Sequence, residues 1–376
     1  MKRLFSVFVA VLVVTNLFFI KANAVEPMPN VSAHHVVVVE RVSGRIIGGY
    51  REHERASMAS TTKIMTALLL CENCDLDDTA VVTKEMVSVE GSSMGLMPGD
   101  TVHYRDLLYG MMLASGNDAA NSTAILIAGS IEAFALMMNE RAERIGMKNT
   151  HFVTPSGLDD EEHYSTAYDM GLLACEALKN EELAKAVSSR SARLEYGNPP
   201  YKRTLTNHNK LLAYYPYCDG VKTGFTKKSG RCLVSSATKD SAGVVVVTLN
   251  DPNDWHDHEQ LLDYGLRQLE TRQLRVPELP DVAVMGGKKD RLSLTTNAVS
   301  VSLLPEDFDR ISCEIELTPS VFAPIKANEP VGSVIYRLSD TVLARAEIFA
   351  VHSVDNEKST VNKDYIYWIR QLLGAK

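Results

Sequence analysis

Val244 to Val247 are four consecutive valines, and no polar residue interrupts them. A strand with one face in water alternates apolar and polar residues, so an apolar residue at every position calls for cover on both faces. The run therefore points to a sheet with helices above and below it. Its neighbours agree. Stretches 220–226, 231–238 and 244–249 read as strands separated by Lys-Lys-Ser-Gly and Lys-Asp-Ser-Ala-Gly turns, and loops this short make them consecutive and antiparallel. Far upstream, the valine-rich run 35–40, the turn residues Val42-Ser43-Gly44-Arg45 and a strand starting at Ile46 form a β-hairpin.

Between the two groups the apolar residues recur with helical spacing, over 61–70, 104–113, 131–145 (with Gly146 as a C-cap) and 166–178. A further helix is expected over 255–270. The economical assembly is α/β in the α+β sense: one antiparallel sheet of about five strands drawn from both chain ends and flanked by helices. After Leu274-Arg275-Val276-Pro277 the period changes to two. Leu292/Leu294, Val299/Val301/Leu303 and Ile311/Cys313/Ile315/Leu317 alternate with polar residues, and Pro305, Pro319, Pro324 and Pro330 leave no room for long helices. Residues 274–362 are therefore expected to form a small all-β domain after a larger one at 25–273.

The 376 residues carry 39 Lys+Arg against 47 Asp+Glu, a net charge of −8. That balance offers nothing to attract a phosphate backbone, so nucleic acid is not an expected partner. At the N-terminus Lys2 and Arg3 precede an apolar stretch over 4–20, followed by Ala22-Asn23-Ala24. This is the pattern of a signal peptide; the small residues and polar Thr15-Asn16 favour cleavage after Ala24 over an uncleaved anchor. Removing residues 1–24 leaves 36 basic against 47 acidic residues, a charge of −11 on an exported, extracytoplasmic chain. All six cysteines lie beyond residue 24. Cys71-Glu-Asn-Cys74 has no second C-x-x-C or paired histidines to complete a metal site. Cys218 and Cys232 flank the hairpin turn placed at 227–230. With Cys232 then opposite Phe225, they sit roughly 20 Å apart at about 3.3 Å per residue, and no disulfide is expected.

Three short motifs carry the chemistry. Ser60-Thr61-Thr62-Lys63 sets a hydroxyl and an amine three residues apart where a helix begins, so both lie on one face about 5 to 6 Å apart at Cβ. Serine is a weak nucleophile without a base; Lys63 can serve once burial and a second cation lower its pKa. Ser115-Gly116-Asn117 falls where one helix ends and the next begins, offering a hydroxyl for proton relay and a carboxamide for a substrate amide. Lys222-Thr223-Gly224 lies on a strand, where a cation, a hydroxyl and a missing side chain suit an extended, carboxylate-ended peptide along a sheet edge. Alone, each motif is commonplace: a helix cap, a turn, a chance tripeptide.

In this order in one exported chain, S-x-x-K, S-x-N and K-T-G resemble the triple signature of penicillin-binding proteins and serine β-lactamases. The wider runs 59–66, 113–120, 146–158, 165–170 and 219–226 are similar to the low-molecular-mass penicillin-binding proteins, the serine-type D-alanyl-D-alanine carboxypeptidases. The likeness covers about 33–270 and, more loosely, the β-rich remainder. It implies a β-lactamase/transpeptidase-like fold and an acyl-enzyme cycle on peptidoglycan stem peptides, inhibited by β-lactams and needing no metal or organic cofactor. By that resemblance Ser60 is the nucleophile, Lys63 the general base and Ser115 the relay to the leaving nitrogen. Asn117 positions the substrate backbone, Lys222 and Thr223 bind its terminal carboxylate, Gly224 clears space, and the backbone N–H groups of Ser60 and Phe225 hold the oxyanion.

A class A β-lactamase deacylates with a glutamate from an E-x-x-L-N loop; no such pentapeptide occurs between Asn117 and Lys222, and Glu176-Ala177-Leu178-Lys179-Asn180 has the wrong order. Transpeptidase or endopeptidase action differs only in the acceptor, and a silent penicillin-binding sensor would keep the fold without turnover. In the tail, Tyr365, Trp368, Ile369, Leu372 and Leu373 form one apolar helical stripe. Related carboxypeptidases often carry an amphipathic anchor there, so 364–376 is expected either to rest on the membrane surface or to pack on its own domain.

Overall fold

The computed structural model describes residues 26–357. The expected leader at 1–24 and the amphipathic stripe at 364–376 both lie outside them. The central sheet has five antiparallel strands in the order Ile46–Tyr50, His35–Glu40, Ala242–Leu249, Gly230–Lys239, Cys218–Thr226. The two ends of the larger unit meet in its middle, where Val36 pairs with Thr248 and Val39 with Val245. Alternation then sorts the valines. Val37, Val39, Val245 and Val247 face the helical core that holds Met65, Leu68 and Phe152. Val36, Val38, Val244 and Val246 face the helix Asp254–Gln268 through Leu261, Leu262 and Tyr264. All eight are fully buried, each such side chain contributing about 1.5 to 3 kcal/mol, which is why the run tolerates no polar residue. The hairpin closes on Glu40, whose carboxylate accepts from Val42 N, Ser43 N and Ser43 Oγ.

The helices fall close to their expected places at Lys63–Asn73, Tyr104–Met112, Ile131–Ile145 and Ala167–Ala177. Gly146 caps the third in a left-handed conformation (φ +92°), and Thr166 caps the fourth by accepting from Asp169 N. Three expectations need correction. Cys232 lies opposite Gly224, not Phe225, because only Lys227 to Ser229 lie between the paired Thr226 and Gly230, one residue fewer than a turn through Gly230. Cys218 sits opposite Ala237, and all six cysteines are free. The last helix stops at Gln268, and Glu270–Gln273 is a strand paired with Ser300–Leu303 in the β-rich part; all four of its residues are exposed, so it has no apolar period to reveal it. Cys313 breaks the expected burial alternation: it is exposed on Ile311–Leu317, an edge strand covered incompletely.

A second sheet was not foreseen. It joins Thr79–Val81, Thr101–His103, Ser191–Gly197 and Pro200–Thr206; in its hairpin Ala192, Leu194, Tyr196 and Leu205 turn toward the helical core, while Arg193, Glu195 and Lys202 are exposed. The C-terminal part is all β, built from four-, three- and two-stranded sheets. It abuts the larger unit through Ser241 and Ser302 (Oγ to Oγ 2.7 Å) and an ion pair of Arg45 with buried Asp307.

The core also carries a titratable group with a measurable consequence. His258 is fully buried between Ser235 Oγ (2.5 Å) and Thr248 Oγ1 (2.8 Å), and burial lowers its pKa from 6.5 to about 3. Between those values the unfolded chain holds a proton that the native state lacks. Stability is therefore lost as pH falls through 6.5, levels off below about 3, and is untouched above 6.5, where both states are neutral. His258→Gln removes this dependence. Relative to the wild type, the variant should gain about 2 kcal/mol in urea melts between about pH 7.5 and about pH 5; a difference that ignores pH would mean that His258 titrates alike in both states.

Candidate active site

Ser60 sits on a single 3-10 turn, Ala59–Thr62, that runs into the helix Lys63–Asn73. Ala59 takes a left-handed conformation (φ +47°) unusual for a residue with a side chain. The K-T-G strand presses on this turn from the side. A Cβ on Gly224 would stand 3.1 Å from both Ser60 N and Met58 O, so the absent side chain lets the strand backbone approach the nucleophile turn.

Lys63 is fully buried, and its Nζ reaches three acceptors: Ser60 Oγ at 2.9 Å, Asn117 Oδ1 at 2.7 Å and Ser156 O at 2.7 Å. Burial holds its pKa well below the ordinary lysine value; the nearby Lys222 cation lowers it further, and the Asp118 carboxylate works the other way. Lys222 is buried on the strand Cys218–Thr226, where its Nζ donates to Thr223 O at 2.9 Å and burial lowers its pKa to about 7. These are the two causes, burial and a second cation, that the S-x-x-K reading called for.

Ser115 and Asn117 lie on the junction between the helices Tyr104–Met112 and Asn117–Ala128. Ser115 is buried and left-handed (φ +57°). It lines a cleft of about 270 Å³ with Ser60, Thr223, Gly224 and Phe225, so every motif contributes to one place. Both ends of the Asn117 amide are engaged within the protein: Oδ1 accepts from Lys63 and Nδ2 donates to Glu90 O at 2.6 Å. In this arrangement Asn117 holds the lysine, a task that its sequence context did not disclose.

The structure adds residues that the motifs do not name. Asp118 accepts from Met94 N, Gly95 N, Leu96 N and Ser93 Oγ, shaping the loop that brings Ser92 to the cleft. On the far side Arg231, Asp254 and Trp255 complete the wall: Arg231 Nη2 bonds both Asp254 oxygens (2.7 and 2.8 Å) and its guanidinium lies 5.4 Å from the Trp255 ring centre. His208, with its pKa lowered by burial and by Lys222, closes a third side. Only Asp118, inside the 113–120 run, had any sequence signal.

A buried lysine hydrogen-bonded to a serine at a helix start, beside an S-x-N junction and a K-T-G edge strand, defines a serine acyl-enzyme of the penicillin-interacting type. Residues 21–253 match the D-alanyl-D-alanine carboxypeptidase family, and 277–356 match the C-terminal domain of penicillin-binding protein 5. The chain therefore belongs to the D-alanyl-D-alanine carboxypeptidases, the low-molecular-mass penicillin-binding proteins. It is 35% identical to D-alanyl-D-alanine carboxypeptidase DacF of Bacillus subtilis over 331 residues, 85% of each chain. Its fold is similar to that of D-alanyl-D-alanine carboxypeptidase DacD from Francisella tularensis (TM-score 0.63, 26% identity, covering 90% of this chain and 100% of that one). Penicillin-binding protein 5 from Haemophilus influenzae is comparably alike (TM-score 0.62, 26% identity, 87% and 99% covered). The protein is a serine-type D-Ala-D-Ala carboxypeptidase, from a family that acts on D-Ala-D-Ala peptides, binds penicillin and works on the cell wall outside the cytoplasm.

Proposed function

We propose that the chain removes the terminal D-alanine from peptidoglycan stem peptides through an acyl-Ser60 intermediate, and that β-lactams trap it at the same serine. The observation that carries this reading is the fully buried Lys63, hydrogen-bonded to Ser60 Oγ at 2.9 Å with its pKa held well below normal. Neutral Lys63 takes the Ser60 proton as Oγ bonds to the carbonyl carbon of the penultimate D-alanine. The carbonyl oxygen becomes an anion facing the Ser60 and Phe225 N–H groups, donors typically worth about 100- to 1000-fold in rate. Collapse breaks the C–N bond, and the proton held by Lys63 passes through the Ser115 hydroxyl to the leaving nitrogen. Water, deprotonated in its turn, then releases the shortened peptide and restores Ser60. Asn117 exchanges an internal partner for the substrate backbone. The protein works at the outer face of the cytoplasmic membrane or in the wall, after cleavage of the leader.

Lys222 and Thr223 receive the terminal carboxylate. With its pKa near 7, Lys222 is only partly charged in the free enzyme, and an arriving anion favours the charged form. The test is release of the last residue, free D-alanine from a pentapeptide ending in D-Ala-D-Ala and D-alaninamide from its C-terminal amide. Wild type should strongly prefer the acid, and Lys222→Ala should lose mainly that preference. No D-alanine from the acid would overturn the assigned reaction; equal losses on acid and amide would remove Lys222 from carboxylate capture.

A further inference from the structure

The loop 151–165 grips the nucleophile turn at several points. Ser156 O accepts from Lys63, Pro155 O accepts from Thr66 Oγ1 at 2.6 Å, and Gly157 lies so close that a Cβ on it would fall 1.9 Å from Ala59 O. One link in this contact plays no part in the chemistry above. His163 is buried against Phe152, ring centres 5.9 Å apart, and 101 residues separate it in sequence from the threonine it touches.

Two backbone donors determine the state of its ring. Val153 N lies 3.0 Å and Thr154 N 3.3 Å from Nδ1, so Nδ1 accepts and the neutral ring carries its proton on Nε2. Burial lowers the pKa to about 4 despite the Asp159 and Asp160 carboxylates, with His151 adding to the lowering, so the ring is neutral near pH 7. Nε2–H then donates to Thr62 Oγ1 at 2.9 Å, and Thr62 donates onward to Ala59 O at 2.8 Å. The Ala59 carbonyl shares one planar peptide group with the Ser60 N–H. Whatever fixes the oxygen therefore fixes the direction of that N–H, at a residue whose left-handed conformation needs support.

We propose that His163 is a positioning residue for acyl transfer: through Thr62 it holds the Ala59–Ser60 peptide plane and so aims the Ser60 N–H at the oxyanion. The inference rests on Ser60 being the nucleophile. Because the oxyanion forms only as the acyl bond forms, the effect belongs to the acylation rate constant and not to the dissociation constant of the preceding non-covalent complex.

Acylation by a fluorescent penicillin, measured over a concentration series with the full-length protein, separates the two constants. His163→Phe keeps a ring against Phe152 and deletes the hydrogen bonds at both ring nitrogens; its acylation rate constant should fall about 10- to 100-fold with the dissociation constant unchanged. His163→Gln places an acceptor and a donor on either side of one carbon, as imidazole does, and should stay within about threefold of wild type. Thr62→Val removes the middle link in the shape of threonine and should reproduce the loss, while Thr62→Val with His163→Phe should be no slower than the slower single variant. A folded His163→Phe acylating at the wild-type rate, a His163→Gln as slow as His163→Phe, an unimpaired Thr62→Val, or losses that multiply would each overturn the proposal. If His163→Phe does not fold, Thr62→Val and His163→Gln decide. Label retained by Ser60→Ala would instead overturn the reading of Ser60; label lost there, with normal rates in the other variants, overturns this inference alone.

Discussion

Lys63→Ala should acylate with β-lactams about 100- to 10,000-fold more slowly than wild type, the usual contribution of a positioned general base. Lys63 Nζ bonds Ser60 Oγ directly, and no other side-chain amine or imidazole hydrogen-bonds that oxygen among the described residues. The substitution also leaves Asn117 Oδ1 and Ser156 O without their donor and opens space in the core. That costs about 1 to 3 kcal/mol for each unmet group, tempered by water entering from the adjoining cleft. The protein should therefore melt somewhat earlier yet remain folded at 25 °C. Stopped-flow acylation beside a circular-dichroism melt separates the two effects. A folded variant acylating at the wild-type rate would remove Lys63 as the base.

The second large effect is all-or-none. Intact-protein mass spectrometry of the wild type incubated with benzylpenicillin should show one added penicilloyl mass, and Ser60→Ala should show none. The substitution removes only a hydroxyl from a partly exposed side chain on the 3-10 turn, and Lys63 keeps Asn117 Oδ1 and Ser156 O as partners. Loss of the adduct would therefore reflect lost chemistry and not a collapsed site. Ser115, buried on the same cleft, is the obvious alternative nucleophile. An adduct that persists in Ser60→Ala and vanishes in Ser115→Ala would reverse the assignment.

Much of this protein is decided by local pattern. Valines at four successive positions fit a strand covered on both faces, and the helical core on one side and the helix Asp254–Gln268 on the other supply that cover. Period and capping residues likewise located most of the helices to within a few positions, because burial of one face and satisfaction of end groups are short-range requirements, although the short helix Glu181–Ser188, capped by Asn180, was missed. Ser60, Lys63, Ser115 and Lys222 stood out for another reason: each motif is commonplace alone, and it is their order in one chain that resembles the triple signature and implies roles for them.

Other features depended on which distant groups met. The hairpin Ser191–Gly197 and Pro200–Thr206 carries only a short apolar alternation, Ala192, Leu194 and Tyr196, set among charged residues, and its packing against the helical core is what makes it a half-buried strand pair. Asn117 offers a carboxamide to any partner, and only the packing of the helix junction against Lys63 and Glu90 O determined which end of the amide faces which. Ser156 acts through its backbone carbonyl, a group that every residue possesses, so no residue type could mark it. His163 is the extreme case: a single histidine in a loop carries no meaning until the fold closes that loop on a turn 101 residues away and supplies, from Val153 N, the donor that sets its tautomer. The residues proposed to transfer protons were thus marked by short motifs. Those that lower a pKa, fix a peptide plane or choose a tautomer act by burial and contact across the chain, and only the tertiary structure creates those conditions.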